Sequence, residues 1–483
     1  MSSAPAPAAA PPVARGAWLA LAVVLGAAFM SLLDTTIVNV ALPTIRTSLD
    51  ASESTLSWII SGYALAFGLA LIPAGRLGDR YGHKWVFITG LALFTAASLA
   101  CGLAQNDLQL IIARVVQGLG GGIFFPAVSA FIQLLFPPMA RGKAFAILGA
   151  VIGVSSALGP LVGGLIIQAL GDETGWRWIF AVNLPIGVIV LVAAIALLPS
   201  EAAGKATSND LIGLVLLSGA LVALLVPLIQ GQEEGWPLWT YLSIGGGVLL
   251  VVLFALWERS VASRGKDPLV PPRLFAHAQF AAGTILALVF FAAFTSIFFT
   301  ISLLWQAGLG HTALESGLVS VPFAIGNIIG ASQSDRLAAR LGRAVLAIGV
   351  ALLTIGLTAL FLILLLVPTA DLTNWTLLGP LLVAGLGSGL FIAPNVRFIV
   401  ATVDRSEAGA ASGVIGTMQR VGAAAGIAVI GSVFFGNIGP IAGPADLPAA
   451  FGQAATPALA VSAALALAAF LLVFTLPKRV QLH

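Results

Sequence analysis

Two ionisable residues stand where the sequence around them has almost no polarity. Asp34 interrupts the apolar run 17-42, and Arg114 lies a few residues into the run 109-131. An acid inside a membrane-length apolar segment is costly unless protonated, hydrated or paired, so it is a functional candidate by default. A guanidinium cannot shed its charge and needs an acidic or carbonyl partner. If the two spans are neighbours they would make a proton site: an opposite charge favours the carboxylate, desolvation disfavours it, and moving the pair together or apart changes its proton affinity. The competing reading is an ion pair that only fixes helix packing. Arg420, beside Gln419, is a third charge within an apolar run. Its candidate acidic partners are Glu407 and Glu315, both of which also fit a membrane interface.

Other chemistries find no residues. The single cysteine, Cys101, makes no intrachain disulfide, and no Cys/His spacing offers a metal site. His83, His277, His311 and His483 fall in loops or the tail, without HExxH or GxSxG, which speaks against an enzyme. There is no phosphate-binding GxxxxGK[ST] loop, so ATP-driven transport is excluded, and no cofactor is implied. Of 483 residues 59% are hydrophobic and 8% charged, against about 25% charged in a soluble domain. A net charge of +3 over this length makes no basic patch, so nucleic acid is not a partner.

The elements that must position these groups are membrane spans of about 20 residues. Fourteen are expected, near 17-42, 55-74, 85-104, 109-131, 143-169, 178-198, 211-230, 238-257, 278-305, 314-333, 344-367, 376-400, 408-436 and 452-476. Segment 1-16 is Ala/Pro-rich, expected to be disordered, and is no signal peptide. An even number of spans puts both termini on one side, and that side carries all but a few of the Lys and Arg residues; among loop residues only Arg46 and Arg177 fall opposite. Both termini are therefore expected in the cytoplasm.

Two loops share a pattern. Gly75-Arg76-Leu77-Gly78-Asp79-Arg80-Tyr81-Gly82-His83-Lys84 follows span 2, and Gly330 to Arg343, containing Asp335 and Arg336, follows span 10. Glycines allow helix ends to approach, and Asp79 can cap the following helix. The repetition suggests two homologous six-helix halves, 17-200 and 261-476, around two inserted spans in 201-260, with a tail at 477-483. Span 5 carries Gly149, Gly153, Gly159, Pro160, Gly163 and Gly164, a close-packing and bending pattern that reads as ordinary packing or as a hinge and seal between the halves. Ligand contacts near the bilayer midplane would come from Asn39, Tyr63, Gln117 and Asn327, with Phe124 as an apolar wall.

The loop 75-84 resembles the G-x-L-x-D-R-x-G-[RK]-[RK] signature of the major facilitator superfamily, with His83 replacing one basic residue. Leu33 to Pro43, Arg114 to Gly120, Gly153 to Gly164, Trp176 to Phe180 with Asn183 and Pro185, and Ala411-Ser412-Gly413 with Gln419 to Gly422 resemble, in order, the signatures of its fourteen-span drug:proton antiporters. The resemblance implies an all-α integral membrane protein of two six-helix halves plus two extra helices. It implies proton-coupled multidrug efflux of amphipathic small molecules across a bacterial cytoplasmic membrane by alternating access. Asp34 and Arg114 would couple protons, while Gly75, Asp79, Arg80, Gly82, Lys84, Asp335 and Arg336 would form the cytoplasmic gate. The partners expected are substrate, protons and membrane lipids, with a monomer as the working unit. Among dication-exporting relatives an extra acid is expected in span 10, where this chain has Asn327, which argues for monovalent, zwitterionic or neutral substrates. The alternative is a dedicated exporter of one metabolite or envelope lipid; the short loop Pro368 to Trp375 has no extension to guide a lipid and favours small molecules.

Overall fold

The computed structural model describes residues 15-476 except 52, 172, 201-209, 232-233, 402, 405-406, 440 and 442. Most of the segment expected to be disordered, and the tail 477-483, lie outside the described residues. The helices of the first half are α1 (Arg15–Leu49), α2 (Glu53–Tyr81), α3 (His83–Leu103), α4 (Asp107–Leu135), α5 (Pro138–Leu170), α6 (Gly175–Ala181) and α7 (Asn183–Leu197). Two inserted helices follow, α8 (Leu211–Gln230) and α9 (Leu238–Ser263), then a short α10 (Pro272–Ala276). The second half comprises α11 (Ala278–Leu303), α12 (Ala313–Val319), α13 (Val321–Leu341), α14 (Ala344–Leu366), α15 (Asn374–Val400), α16 (Ala408–Gly436) and α17 (Leu447–Val473).

Among the described residues fourteen helical units are long and apolar enough to cross a membrane. The sequence-based boundaries need correction where the chain breaks. Span 6 is α6 plus α7, and span 10 is α12 plus α13. Pro185 and Pro322 sit in the first turn of the second piece in each, where a missing N–H costs nothing and the ring disfavours helix just before it. Span 1 begins at Arg15, inside the stretch expected to be disordered, and continues to Leu49. Span 9 runs on through a π-helical turn, Leu304–Gly308.

Both halves are built around one buried helix squeezed between two others by glycine. In the first, α4 lies between α2 and α3: a Cβ at Gly118 or Gly122 would run into the carbonyl of Tyr63 or Phe67, and one at Gly120 into Phe94. In the second, α15 lies between α13 and α14, with Gly385 against Phe323, Gly389 against Asn327 and Gly387 against Gly349. Lipid supplies no hydrophobic drive between helices, so close backbone approach at small residues holds them together. The halves meet along α2 with α16 and α5 with α13 and α15. The inserted α8 packs beside α2 and α16, Leu225 against Gly68, and Trp236 Nε1 donates to Ser432 Oγ at 2.7 Å. Much of α9 is exposed, including Leu242, Val248, Leu249, Val252 and Leu256, as suits a lipid-facing helix.

Candidate functional site

Asp34 of α1 and Arg114 of α4 are both buried and meet at 2.6 Å. Arg114 Nη1 also donates to Gln117 Oε1 at 2.7 Å, and its Nε donates to the Ile59 carbonyl at 3.2 Å. The second carboxylate oxygen of Asp34 accepts from Gln117 Nε2 at 3.0 Å and from Asn183 Nδ2 at 2.8 Å. Both amides also donate to Ser98 Oγ, which in turn donates to the Phe180 carbonyl. Arg114 and Gln117 lie three apart on α4 and so share a face. The break between α6 and α7 brings Asn183, the first residue of α7, into the same knot. The guanidinium lies 4.1 Å from the ring centre of Tyr63, whose hydroxyl meets Ser31 Oγ at 3.2 Å. The result is a buried pair whose carboxylate is met by three donors, from α4 and α7.

The loop between α2 and α3 reaches across to the second half through Asp79. Asp79 does not cap the next helix, as the sequence suggests, but the N-terminus of α16. Its two oxygens accept from Gly409 N at 2.9 Å and Ala410 N at 3.0 Å, while His83 Nε2 approaches at 3.3 Å. These are orphan amides at the positive end of α16, which an anion satisfies. Gly75 is required there: a Cβ would meet the Gly409 carbonyl. Asp335 holds the related position in the second half, where Arg397 Nη1 donates to it at 2.8 Å and Gly142 near the start of α5 leaves room for its carboxylate. Gly82 forms the turn between α2 and α3 with φ 91°. Lys84 donates to the Ile195 carbonyl at 2.8 Å, Arg80 lies over the Tyr81 ring at 4.9 Å, and Arg336 is exposed. Arg76 Nη2 donates to the Pro268 carbonyl at 2.7 Å, tying the loop to the chain that follows α9.

The glycines of α5 divide between the two halves. Gly153 leaves room for the Asn327 side chain of α13, Gly159 and Gly163 for Thr36 and Ile37 of α1, and Gly164 for Leu314 of α12. Pro160 and Leu161 approach Gly317 of α12 from the same helix.

The residues expected to contact ligand are not brought together. Tyr63 and Gln117 belong to the Asp34 knot and are buried. Phe124 is fully buried between Phe87 and Phe94, in the packing of α3 and α4 instead of a cavity wall. Asn327 is buried, donates to Ser388 Oγ at 3.2 Å and leaves its Oδ1 without a partner. Asn39 is exposed and outside the knot. Sequence reasoning misses Asn183 and Ser98 as partners of Asp34. Asn183 carries a signal, an amide opening an apolar segment; Ser98 carries none.

Arg420 pairs with neither acid expected for it. Glu407 is taken by Arg273 at 2.8 Å, and Glu315 caps α12 through Thr312 and approaches His311 at 3.3 Å. Arg420 instead stacks over the Phe67 ring at 4.1 Å.

The sequence pattern of the Major Facilitator Superfamily matches residues 24–427. The chain is 40% identical over 439 residues to the "Probable actinorhodin transporter" of Streptomyces coelicolor, covering 89% of this chain and 74% of that one. It is 32% identical over 441 residues to the "Tetracenomycin C resistance and export protein" of Streptomyces glaucescens, covering 88% and 77%. Its fold is similar to that of the proton:xylose symporter XylE, with a TM-score of 0.66 at 15% identity over 96% of this chain and 98% of the other. The chain is a multi-pass membrane transporter of fourteen spans and belongs to the major facilitator superfamily.

Proposed function

We propose that the chain exports amphipathic small molecules across the cytoplasmic membrane in exchange for protons, by alternating access of a site between its halves. The observation that carries this reading is the buried Asp34–Arg114 pair with its amide donors. Protonating Asp34 removes the charge that holds Arg114 and weakens the bonds from Gln117 and Asn183. Those groups lie on α1, α4 and α7, so a proton gained or lost there biases where these helices settle. A gradient can then drive the exchange if Asp34 opens to one side in each state. The Asp79–α16 contact supplies the second requirement, a cytoplasmic closure that must part for loading from inside.

Two relatives bear names that speak of transport or export, each of a single product, which supports export and favours a narrow substrate range over a broad one. Each chain carries both halves, so a monomer suffices. The test is dye uptake into everted membrane vesicles containing the protein, energised to be acid inside. Uptake that collapses with a protonophore is expected; uptake indifferent to the protonophore contradicts proton coupling.

A further inference from the structure

We infer that the substrate is an organic anion, an amphipathic aromatic carboxylate, sulfonate or phenolate whose charge pairs with Arg420; this rests on the reading of the chain as an exporter. The inference starts from an imbalance of charge. Arg420 lies near the middle of α16, in a membrane span. Its guanidinium keeps its proton at any physiological pH. Among the described residues no carboxylate pairs with it: Asp34 is held by Arg114, Gln117 and Asn183, Glu407 by Arg273, and Glu315 by Thr312 and His311. With Asp34 and Arg114 paired, Arg420 is left, among the described residues, as a cation in a span without a carboxylate partner.

The surroundings say where the missing counter-charge sits. Gly409, Gly413, Gly416 and Arg420 recur on the face of α16 that meets α2. The glycines let the two helices touch, Gly409 at Gly75, Gly413 at Leu71 and Ile72, and Gly416 at Leu71. Arg420 comes where that row of small residues ends, one turn further toward the outer side, and it is only half-buried. The residue is therefore not fully covered by protein where α16 meets α2. Its neighbour Gln419 is half-buried too. The wall beside the guanidinium is aromatic. Phe67 lies beneath it, and the half-buried Phe125 stands edge-on to Phe67 at 5.6 Å. A fixed cation over aromatic rings fits a ligand with a flat apolar body and one negative group, since a desolvated cation and anion attract far more strongly than they do in water. A cationic ligand would meet repulsion at the same spot.

The same residue touches the proton site through rings. Arg114 lies over Tyr63, Tyr63 is 5.9 Å from Phe67, and Phe67 carries Arg420.

The test uses two fluorescent probes of one skeleton, anionic 1-anilinonaphthalene-8-sulfonate and uncharged N-phenyl-1-naphthylamine. Each is titrated into the full chain in lipid nanodiscs, with empty discs subtracted. The anion should bind at least about tenfold more tightly than its neutral counterpart, as a charge-assisted hydrogen bond warrants. Arg420→Gln should remove that preference while leaving the neutral probe's affinity unchanged, and Arg420→Lys should keep part of it. Equal affinities in the wild type, no anion binding above empty discs, or a preference that survives in Arg420→Gln would each overturn the inference. If Arg420→Gln does not fold, the wild-type comparison and Arg420→Lys still decide. Charge-selective binding without proton-driven uptake in vesicles would sink the export reading alone; proton-driven uptake without charge selectivity would sink the anion inference alone.

Discussion

Asp79 and Gly409 join the two halves of the chain: an aspartate at the end of α2 accepts the amide of the second residue of α16, at 2.9 Å, with the adjacent amide of Ala410 on its other oxygen. The backbones of Gly75 and Gly409 touch beside it. A carboxylate at a helix N-terminus stabilises by up to about 2 kcal/mol in partly buried geometry. That is enough to shift a balance between two conformations of a transporter, but too little to prevent it from opening.

Gly75→Ala should force α2 and α16 apart where Gly75 meets Gly409, because the new methyl group meets backbone and not a side chain that can turn away. Spin-label distances between the C-terminal end of α2 and the N-terminal end of α16 should lengthen in Gly75→Ala and, less strongly, in Asp79→Asn. Unchanged distance distributions in both would remove the contact from any role in closure.

Arg114→Met should be more damaging than removing both charges. It leaves Asp34 buried without its cation, and breaking a buried pair from one side costs about 3–5 kcal/mol. Asp34→Asn with Arg114→Met leaves no charge to strand. Thermal melting in detergent should rank the double variant above Arg114→Met; the reverse order would show that the pair contributes little through its charges.

Asn183→Leu tests the donor that reaches Asp34 from α7. Losing it strands part of the need of Asp34 and Ser98 for hydrogen bonds, at a cost of about 1–3 kcal/mol. Proton-coupled uptake should shift in its pH dependence while the expressed amount of folded protein holds. A profile identical to wild type would confine Asn183 to packing.

Gly153→Ala should be destabilising and partly rescued by Asn327→Ala, because the nearest atoms the added methyl meets belong to the Asn327 side chain. Gly118→Ala has no such rescue, since its methyl meets the Tyr63 backbone. Melting temperatures of the three variants and of the Gly153/Asn327 double variant decide this, and a double variant no better than Gly153→Ala would contradict it.

Much of this architecture is legible in the amino-acid sequence, and what is not legible there has physical causes. Asp34 and Arg114 stand out because charges inside apolar spans must be answered by partners. Two spans read as whole from hydropathy, yet each breaks where Pro185 or Pro322 opens its second piece. Phe124 reads as a ligand wall only if α3 and α4 stand apart, whereas the glycines at 118, 120 and 122 draw α4 tightly against its neighbours. Ser98 cannot be singled out, since a serine in an apolar span carries no mark of its partners. Asp79 reads as a cap for the nearest helix. Its actual partner is over three hundred residues away in sequence and depends on how the halves dock.

In the proposed exchange Asp34 carries the coupled proton. The most direct measurement is proton movement in liposomes holding the purified chain and an internal pH-sensitive dye, with an imposed gradient and addition of the anilinonaphthalene sulfonate probe, in wild type and Asp34→Asn. Probe-triggered proton movement is expected in the wild type and its loss in Asp34→Asn, with probe binding retained. Probe transport that proceeds equally with and without the gradient, in both proteins, would contradict it.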